Sequence, residues 1–433
     1  MSKYSRRHLL RASAGLATLA PFLPAVLSAK THASSIRAVS APDTSLLDSL
    51  KPMTGSVTYI SDAERQQRRE KLSSILREQN VYAALIEPGS SLDYFTGVKW
   101  WLSERITAGL ITADGAQIFI TPAFEESRLR EMAGSSVEIL VWQEDEDPFA
   151  ILAAWLKNRR PNNRTVVLDE AVRYFVAYRL GQTATDWQFR SAANEVNACR
   201  MIKSSTELAL MQTANDITVA AYQAVHPLVK EGMSGPEIGA LMHEAQTRLG
   251  GERSSGGAQV DKGTALPHGS REPEYVVDGS VVLMDFGCGV GGYRSDISRT
   301  FVVGKVSDQQ RRLWDLVRRG QDLAFATAQP GAAAGEVDRV VRRLYESEGF
   351  GPGYGLPGLS HRLGHGIGMD VHEPINFVGN EKTPLQPGMC FSNEPGIYMP
   401  GQYGVRIEDC LYITDKGARW FSEPPREMER PVG

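Results

Sequence analysis

The sequence predicts an α/β domain followed by an α+β domain, with a curved antiparallel sheet and a pseudo-twofold layout in the second. Three observations favour this fold class. Short apolar runs alternate with helical patterns through the first half, and two hairpin-like stretches, 281–303 and 391–413, occupy the second. Each hairpin follows a pair of helical patterns. A chain of 433 residues, 42% hydrophobic and 23% charged, has room for two such domains.

The N-terminus carries the pattern of an export signal. Arg6 and Arg7 precede an Ala/Leu-rich segment that glycine and proline interrupt, which argues against a permanent transmembrane helix. The pattern resembles a twin-arginine signal, so residues 1–33 are predicted to direct export to the periplasm or the medium, with no stable membrane anchor. Residues 34–54, rich in Ser, Ala, Pro and Thr, are predicted to form a flexible lead-in.

The first domain is predicted over residues 55–192. Ser61 and Glu64 form a capping-box pattern that should start a helix running to about Gln79. Apolar runs then predict strands, and periodic stretches predict helices. The strands are expected at 81–86, 106–112, 117–120, 137–141 and 165–168, and the helices near 123–132 and 148–158. The segment Trp100–Arg105 is either core or part of an active-site wall, in this subunit or a neighbouring one.

The second domain is predicted over residues 195–433 and opens with further helix signals. Capping-box patterns are expected to start helices at Ser204 (with Glu207), Ser234 (with Glu237) and Ser307 (with Gln310), and a fourth helix should start near Gly335. The first of these should reach about Lys230, and the second should stop at Gly250–Gly251. The order helix-helix-hairpin therefore occurs twice, which predicts two similar halves.

Each hairpin carries a pair of acids. They are Asp285 and Asp296 in the first hairpin, and Glu394 and Glu408 in the second. With turns centred on Val290–Gly291 and on Gly401, the two acids of each pair should face each other. Opposed like charges destabilise a sheet unless a cation lies between them. The acids could also be ordinary solvent-facing strand residues, but the apolar runs beside them indicate burial, where unpaired carboxylates are costly.

A histidine-rich run, His361 to His372, lies between the hairpins. Glycines alternate around His365, which lets the backbone approach a neighbour closely. A lone buried histidine is often a satisfied core residue, but this setting favours His365 as a metal ligand. His361 and His372 are candidates for hydrogen bonding or proton transfer. Oxygen ligands with one imidazole suit Mn²⁺, Zn²⁺, Co²⁺ or Fe²⁺, and four carboxylates exceed the need of one ion, which predicts two.

These motifs resemble the pita-bread metallopeptidases, which include aminopeptidase P, prolidase, methionine aminopeptidase and creatinase. The resemblance covers residues 195–433 closely and 55–190 more loosely. It implies a pita-bread catalytic domain and a creatinase-like N-terminal domain. It also implies two divalent ions, with manganese the leading choice. All five positions of the family's ligand set are filled, by Asp285, Asp296, His365, Glu394 and Glu408.

The resemblance also implies a role for each site residue. Asp296 and Glu408 would bridge both ions, Asp285 would complete one, and His365 and Glu394 would complete the other. The implied catalytic residues are His268, His372 and Glu394, with Glu394 also accepting a proton from the attacking water. The implied substrate-binding residues are His361 and Arg406.

The leading interpretation is hydrolysis of the Xaa-Pro bond in proline-containing peptides, releasing the N-terminal residue as aminopeptidase P does. Prolidase, which cleaves Xaa-Pro dipeptides, remains open, as do a hydrolase or lyase of a small non-peptide substrate and a binding module. The intact ligand set disfavours creatinase, and Gly287 disfavours the lyase branch, which carries an aspartate there. No basic stripe suggests nucleic acid, and relatives lead us to expect a homodimer. The four cysteines are expected to be small buried residues.

Overall fold

A computed structural model describes residues 44–159 and 161–432. The predicted export signal, residues 1–33, lies outside them, as do residues 34–43 of the predicted lead-in. The described part of that lead-in, residues 44–54, differs from the expectation of a flexible segment. Leu47 is only 1% exposed, and the Met53 N–H donates to the carbonyl oxygen of Leu249 at 2.8 Å. The apolar side chain at position 47 anchors this stretch to the catalytic half.

The first part of the chain folds around a six-stranded mixed sheet with the strand order β4-β3-β2-β1-β5-β6. Its elements are α1 (Asp62–Glu78), β1 (Ala83–Ile86), α2 (Ser90–Thr96), β2 (Ala108–Thr112), β3 (Gln117–Pro122), α3 (Glu126–Ala133), β4 (Glu138–Trp142), α4 (Pro148–Arg159), β5 (Thr165–Leu168), α5 (Tyr174–Thr183), β6 (Gln188–Ser191) and α6 (Ala193–Arg200). The pairs β1–β2 and β2–β3 are antiparallel, and the other three pairs are parallel.

All five predicted strands of this part are present, and Ser61 caps α1 by accepting a hydrogen bond from the Glu64 N–H at 3.2 Å. Sequence analysis missed the helices α2, α5 and α6. It also missed β6, because this is a mostly exposed edge strand without an apolar run. The core interpretation of Trp100–Arg105 holds for Trp100, which packs against the main apolar core, but it is wrong for Trp101 and Leu102, which are 46% and 49% exposed. Its alternative, an active-site wall, stays a prediction.

The second part carries two helix pairs, each followed by strands. Its elements are α7 (Ser205–Val225), α8 (Gly235–Arg248), β7 (Glu252–Val260), β8 (Val281–Val290), β9 (Tyr293–Arg294), β10 (Ile297–Val302), α9 (Asp308–Thr327), α10 (Ala334–Ser347), β11 (Gly364–Gly366), β12 (Glu373–Phe377), β13 (Cys390–Asn393), β14 (Gly396–Tyr398), β15 (Gly404–Arg406), β16 (Asp409–Thr414) and β17 (Gly417–Trp420). Strands β10-β8-β7, with β9 paired to β8, form one half-sheet. Strands β12-β11-β13-β16-β17 form the other, and β14 pairs with β15.

The helix starts agree with the sequence predictions. Ser204 and Ser307 each form a capping box, and Ser234 is the N-cap of α8. Helix α7 ends at Val225, earlier than predicted, because Pro227 follows in a short 3-10 turn and cannot donate a backbone hydrogen bond. The repeated helix-helix-hairpin layout and the fold class are therefore confirmed.

The register of the second hairpin is as predicted, whereas that of the first is wrong. In the second, Cys390 to Asn393 pair with Tyr412 to Asp409, and the same register places Glu394 opposite Glu408. In the first, Asp285 pairs with Ser298, two residues beyond Asp296. The turn consists of Gly291 and Gly292, both with positive φ, so its centre lies one residue later than predicted.

The two half-sheets meet at one point. Ser298 in β10 and Glu408, between β15 and β16, exchange both backbone hydrogen bonds at 3.1 and 3.3 Å. This bridge joins the two hairpins where their acids lie.

One apolar core is continuous between the six-stranded sheet and the first catalytic half, and it includes Phe95 and Phe286. All four cysteines are buried and unpaired, as predicted. Within residues 44–159 and 161–432, no helix has the length and apolarity needed to cross a bilayer.

Candidate metal and active site

The predicted site residues converge on one cavity of about 400 Å³ at the junction of the two hairpins. Those that line it are His268, Asp285, Asp296, His361, His365, His372, Glu394, Arg406 and Glu408. Asp285 lies within β8 and Asp296 directly before β10, so the first hairpin supplies one wall. In the second hairpin, Glu394 lies between β13 and β14 and Glu408 lies between β15 and β16, while the neighbouring strand β11 carries His365. The fold therefore gathers residues that are far apart in the sequence.

Potential metal-ligand atoms lie close together at the centre of this cavity. One ligand atom each from Asp296, His365 and Glu408 lies within 4.8 Å of the others. The His365 Nε2 atom is 3.4 Å from Glu394 Oε1 and 3.7 Å from Asp296 Oδ2. These spacings are those of groups that can share a cation.

The orientation of His365 shows what the cluster needs. Its Nδ1 donates to the carbonyl oxygen of Gly366 at 3.1 Å, so the unprotonated Nε2 faces the carboxylates. Burial, with the neighbouring His372, lowers the pKa of His365 to about 3, which keeps the ring neutral. The Nε2 lone pair and the carboxylate oxygens are all hydrogen-bond acceptors, so they cannot bond to one another. A metal cation between them would be bound by all of these atoms.

The acids concentrate negative charge, and among the described residues only Asp285 is paired with a permanently charged cation, that of Arg406. Burial, followed by the charges of neighbouring carboxylates, raises the pKa of Asp296 and of Glu394 well above the ordinary range. Burial, followed by the charge of Asp285, raises the pKa of Glu408 to about 8. Divalent ions would remove both causes of destabilisation, so the donor set fits a metal centre.

Arg406 lies in the wall of the cavity and is held by the protein. Its Nη2 donates to Asp285 Oδ2 at 2.6 Å, and its Nε donates to Ser298 Oγ at 3.0 Å. Its Nη1 donates to the carbonyl oxygen of Pro267 at 3.1 Å and to the hydroxyl of Tyr398 at 3.0 Å. Arg406 therefore orients Asp285, and its predicted contact with substrate stays a prediction.

The three remaining histidines occupy different depths. His361 Nδ1 donates to the Arg362 carbonyl, and Nε2 accepts from the Tyr398 hydroxyl, both at 2.7 Å. Both nitrogens are thus used within the protein, and burial first of all lowers the pKa of His361 to about 3. The His372 ring packs edge-on against His365 with centroids 4.3 Å apart, and it is exposed to solvent. His268 is also exposed and lies at the cavity mouth.

Sequence analysis assigned no role to three residues that belong to this site. Ser298 Oγ donates to Glu408 Oε2 at 2.6 Å, Tyr398 links His361 to Arg406, and Arg362 lines the cavity. Ser298 could have been found, because it lies two residues after Asp296 and strand residues alternate between faces. Tyr398 and Arg362 follow no such spacing rule, since their roles depend on contacts that only the folded chain brings together.

Gly287 shows why one competing chemistry is disfavoured. A Cβ atom at this position would lie 2.0 Å from the carbonyl oxygen of Ser295. An aspartate there, as in the lyase branch, would require the backbone to move.

The comparisons with known proteins agree with this geometry. Residues 209–415 match the model of metallopeptidase family M24, and residues 68–202 match the creatinase/prolidase N-terminal domain. An uncharacterised peptidase of Schizosaccharomyces pombe is 32% identical over 394 residues, covering 84% of this chain and 82% of that protein. The chain belongs to metallopeptidase family M24. It is a metallopeptidase, and membership of the family implies divalent metal ions.

Individual relatives fall into two named activities. The Xaa-Pro dipeptidase of Lactobacillus helveticus is 30% identical, with 83% of this chain and 98% of that one covered. The structure of dipeptidase PepE from Mycobacterium ulcerans has a TM-score of 0.79 at 26% identity, covering 86% of this chain and 99% of that chain. The X-Pro aminopeptidase of Thermotoga maritima has a TM-score of 0.71, also at 26% identity, with 83% and 98% covered. The similarity therefore spans both domains.

Proposed function

We propose that this protein hydrolyses the Xaa-Pro peptide bond with two divalent metal ions. The ligands are Asp285, Asp296, His365, Glu394 and Glu408, and manganese is the leading choice of metal. The observation that carries the proposal is that four carboxylates line one cavity with His365, whose unprotonated Nε2 lies near those of Asp296, Glu394 and Glu408. The Xaa-Pro bond is supported by the similarity to peptidases named for it.

Divalent ions held by these ligands supply Lewis acidity, which lowers the pKa of water to about 7 and polarises a carbonyl group. Asp296, His365 and Glu408, whose ligand atoms lie closest together, would hold the ions with Glu394, which lies 3.4 Å from His365 Nε2. Asp285, oriented by Arg406, would be the fifth ligand.

The remaining chemistry is assigned to residues around this centre. Glu394 accepts the proton of the attacking water and can pass it to the leaving nitrogen. His372 stabilises the negative charge that develops on the scissile carbonyl oxygen, because its ring lies against His365 and is open to the cavity. His268, at the mouth, contacts the substrate backbone. His361 forms part of the pocket wall through its bond to Tyr398.

Two peptide substrates separate the two forms of this activity. Purified protein loaded with Mn²⁺ is assayed on Arg-Pro-Pro and on Gly-Pro, with release of the N-terminal amino acid as the readout. Cleavage of the tripeptide alone supports an aminopeptidase P, and cleavage of the dipeptide alone supports a prolidase. Each should be lost after chelation and restored by metal. Failure to cleave either peptide would contradict the proposal.

Export and assembly are further proposals from the sequence. Replacing Arg6 and Arg7 together with lysine should retain the protein in the cytoplasm, because twin-arginine export depends on the arginine pair. Secretion of the variant at the native level would contradict export by this route.

Light scattering of the purified protein should give twice the chain mass of 47.5 kDa if the predicted homodimer forms.

A further inference from the structure

A buried ion pair, Arg299 with Asp409, lies next to the proposed metal ligands in the sequence but outside the cavity. Arg299 follows Ser298 in β10, and Asp409 follows Glu408 at the start of β16. Both side chains are buried, and neither residue lines the cavity. The Arg299 Nη2 donates to Asp409 Oδ1 at 2.7 Å, and Nη1 donates to Oδ2 at 3.2 Å. Because strand residues alternate between faces, Arg299 lies on the opposite side of β10 from Ser298, whose Oγ donates to the Glu408 carboxylate.

The charge of Asp409 is compensated within the protein. Besides the two bonds from Arg299, its Oδ2 accepts from Gln321 Nε2 at 3.0 Å and its Oδ1 accepts from Ser422 Oγ at 2.6 Å. Unlike the acids of the cavity, this carboxylate needs no external cation. A buried ion pair adds little stability over apolar side chains of the same size. The pair therefore calls for a reason other than stability or metal binding.

The remaining bonds of Arg299 show what the pair does. Its Nη1 also donates to the carbonyl oxygen of Glu408 at 2.8 Å and to that of Ser298 at 3.0 Å. These two carbonyl oxygens belong to the bridge that joins the half-sheets. Glu408 lies between β15 and β16, in neither strand, so its backbone is held chiefly by this bridge. Arg299 adds a charge-assisted hydrogen bond to it, and Asp409 holds the guanidinium in place.

The same cluster reaches the backbone beside Glu394. Gln321, a buried residue of α9, donates through Nε2 to the carbonyl oxygen of Asn393 at 3.3 Å as well as to Asp409. Asn393 returns a bond from its Nδ2 to the carbonyl oxygen of Gln321 at 3.0 Å. Asn393 directly precedes Glu394 and pairs with Asp409 in the β13–β16 ladder. The ion pair is therefore the centre of a buried network that ties down the backbone next to both acids of the second hairpin.

A ligand among other carboxylates has to be held against their repulsion until the ions arrive. Efficient sites hold such groups within about 0.5 Å of the working geometry through the residues that support them. We propose that the Arg299–Asp409 pair is the positioning element that holds Glu408 in the metal centre. The pair acts from the far side of the strand, through the backbone of Glu408, and contacts no ion itself. This inference rests on the proposed metal-dependent function and adds two residues that lie outside its ligand set.

The test measures the affinity of metal-free variants for Mn²⁺ by calorimetry. Asp409→Asn leaves Arg299 without its anionic partner and should weaken Mn²⁺ binding about 10- to 100-fold, the usual cost of losing a residue that orients a metal ligand. Glu373→Gln is the matched control, because it also neutralises a buried carboxylate that accepts from two cations, Arg200 and Lys203. It should bind Mn²⁺ as tightly as the wild type, since its partners do not contact a proposed ligand.

A double variant separates positioning from stability. Arg299→Met with Asp409→Asn removes both charges, so no unpaired cation stays buried, and its urea midpoint should lie well above that of Asp409→Asn alone. Its Mn²⁺ affinity should stay about 10- to 100-fold below that of the wild type, because a methionine side chain cannot donate to the Glu408 carbonyl oxygen. Recovery of both the urea midpoint and the Mn²⁺ affinity would show a merely structural role and overturn the inference. If Asp409→Asn alone does not fold, the double variant is compared directly with Glu373→Gln.

Peptide cleavage, measured beside Mn²⁺ binding, separates this inference from the proposed function. If the wild type cleaves neither Gly-Pro nor Arg-Pro-Pro, but binds Mn²⁺ more tightly than the double variant does, the proposed function fails and the positioning role stands. If the wild type cleaves either peptide and the double variant binds Mn²⁺ with unchanged affinity, the positioning role fails and the proposed function stands. If the wild type binds no Mn²⁺, both fail.

Discussion

Two buried glutamates of the catalytic domain, Glu408 and Glu373, have opposite electrostatic environments. Their exposures are similar, 2% for Glu408 and 6% for Glu373. Burial and then Asp285 raise the pKa of Glu408 to about 8. Burial acts on Glu373 in the same direction, but Lys203 and Arg200 outweigh it and lower its pKa to about 2. Burial alone therefore does not decide how a carboxylate ionises here.

The difference lies in the partners. Glu373 accepts hydrogen bonds from Arg200 Nη2 at 2.6 Å, from Lys203 Nζ at 3.0 Å and from the Met369 N–H at 3.0 Å. Glu408 accepts one from Ser298 Oγ, and the charge of Asp285 raises its pKa more than the charge of Arg406 lowers it. The protein compensates the charge of Glu373 itself, so that residue is structural. The charges around Glu408 require an external cation, which the proposed metal ions would supply.

The largest effect should follow removal of the shared carboxylate. Glu408→Gln should lower kcat/KM more than about 1000-fold, because both ions lose a ligand while the fold is kept. Steady-state kinetics with saturating Mn²⁺ measures this. Glu423→Gln, an exposed glutamate near the C-terminus, is the control and should keep full activity. Near-native turnover in Glu408→Gln would show that this carboxylate is not part of a metal centre.

The compensated glutamate should respond in the opposite way. Glu373→Gln should lower the free energy of unfolding by about 3 kcal/mol, because it leaves Arg200 and Lys203 buried without their shared partner. Glu408→Gln should not lower the stability of the metal-free protein, since it relieves repulsion. Urea unfolding of the metal-free variants compares the two. Equal losses in both variants would remove the distinction between the sites.

The contributions of Glu408 and Glu373 to stability should also depend on pH in opposite ways. The pKa of Glu408 is raised from its ordinary 4.5, so its stabilising contribution is complete below about pH 4.5 and lost as pH rises through about 8. The pKa of Glu373 is lowered, so its contribution is present above about pH 4.5 and lost as pH falls through about 2. The metal-free protein should therefore become less stable from pH 5 to pH 8, and saturating Mn²⁺ should abolish that fall. Urea midpoints that rise over this range without metal would contradict the account.

The smallest effect is expected at a helix end remote from both sites. Ser307→Ala removes the capping box of α9 and should lower the free energy of unfolding by about 1 kcal/mol, with kinetics unchanged. This variant shows how much unfolding free energy is lost when an ordinary local interaction is removed. A change in KM or kcat would show that α9 transmits more to the site than its contacts suggest.

The uncompensated site could be predicted from sequence, whereas the compensated one could not. Acids flanked by buried apolar strands are a local pattern, and the Gly-rich run around His365 is another. Glu373 carries no such signal, because its partners Arg200 and Lys203 lie 173 and 170 residues away. Arg299 was missed for a related reason, since its partner Asp409 lies 110 residues away.

The error in the first hairpin has a physical cause of its own. The sequence predicts a turn centred on Val290–Gly291, but the two-residue turn that matches strand twist needs positive φ at both positions. Gly291 and Gly292 provide it, with φ values of 57° and 89°. The pairing therefore shifts, and Asp296 lies diagonally across from Asp285. The acids still converge because Asp296 directly precedes the strand that meets Glu408.

Metal stoichiometry after complete chelation and reloading with Mn²⁺ tests the central claim most directly. Elemental analysis should find two ions per wild-type chain and per Glu373→Gln chain, and fewer than one tightly held ion in Glu408→Gln. No stoichiometric metal in the wild type, or an unchanged content in Glu408→Gln, would contradict the claim that these buried acids exist to hold cations.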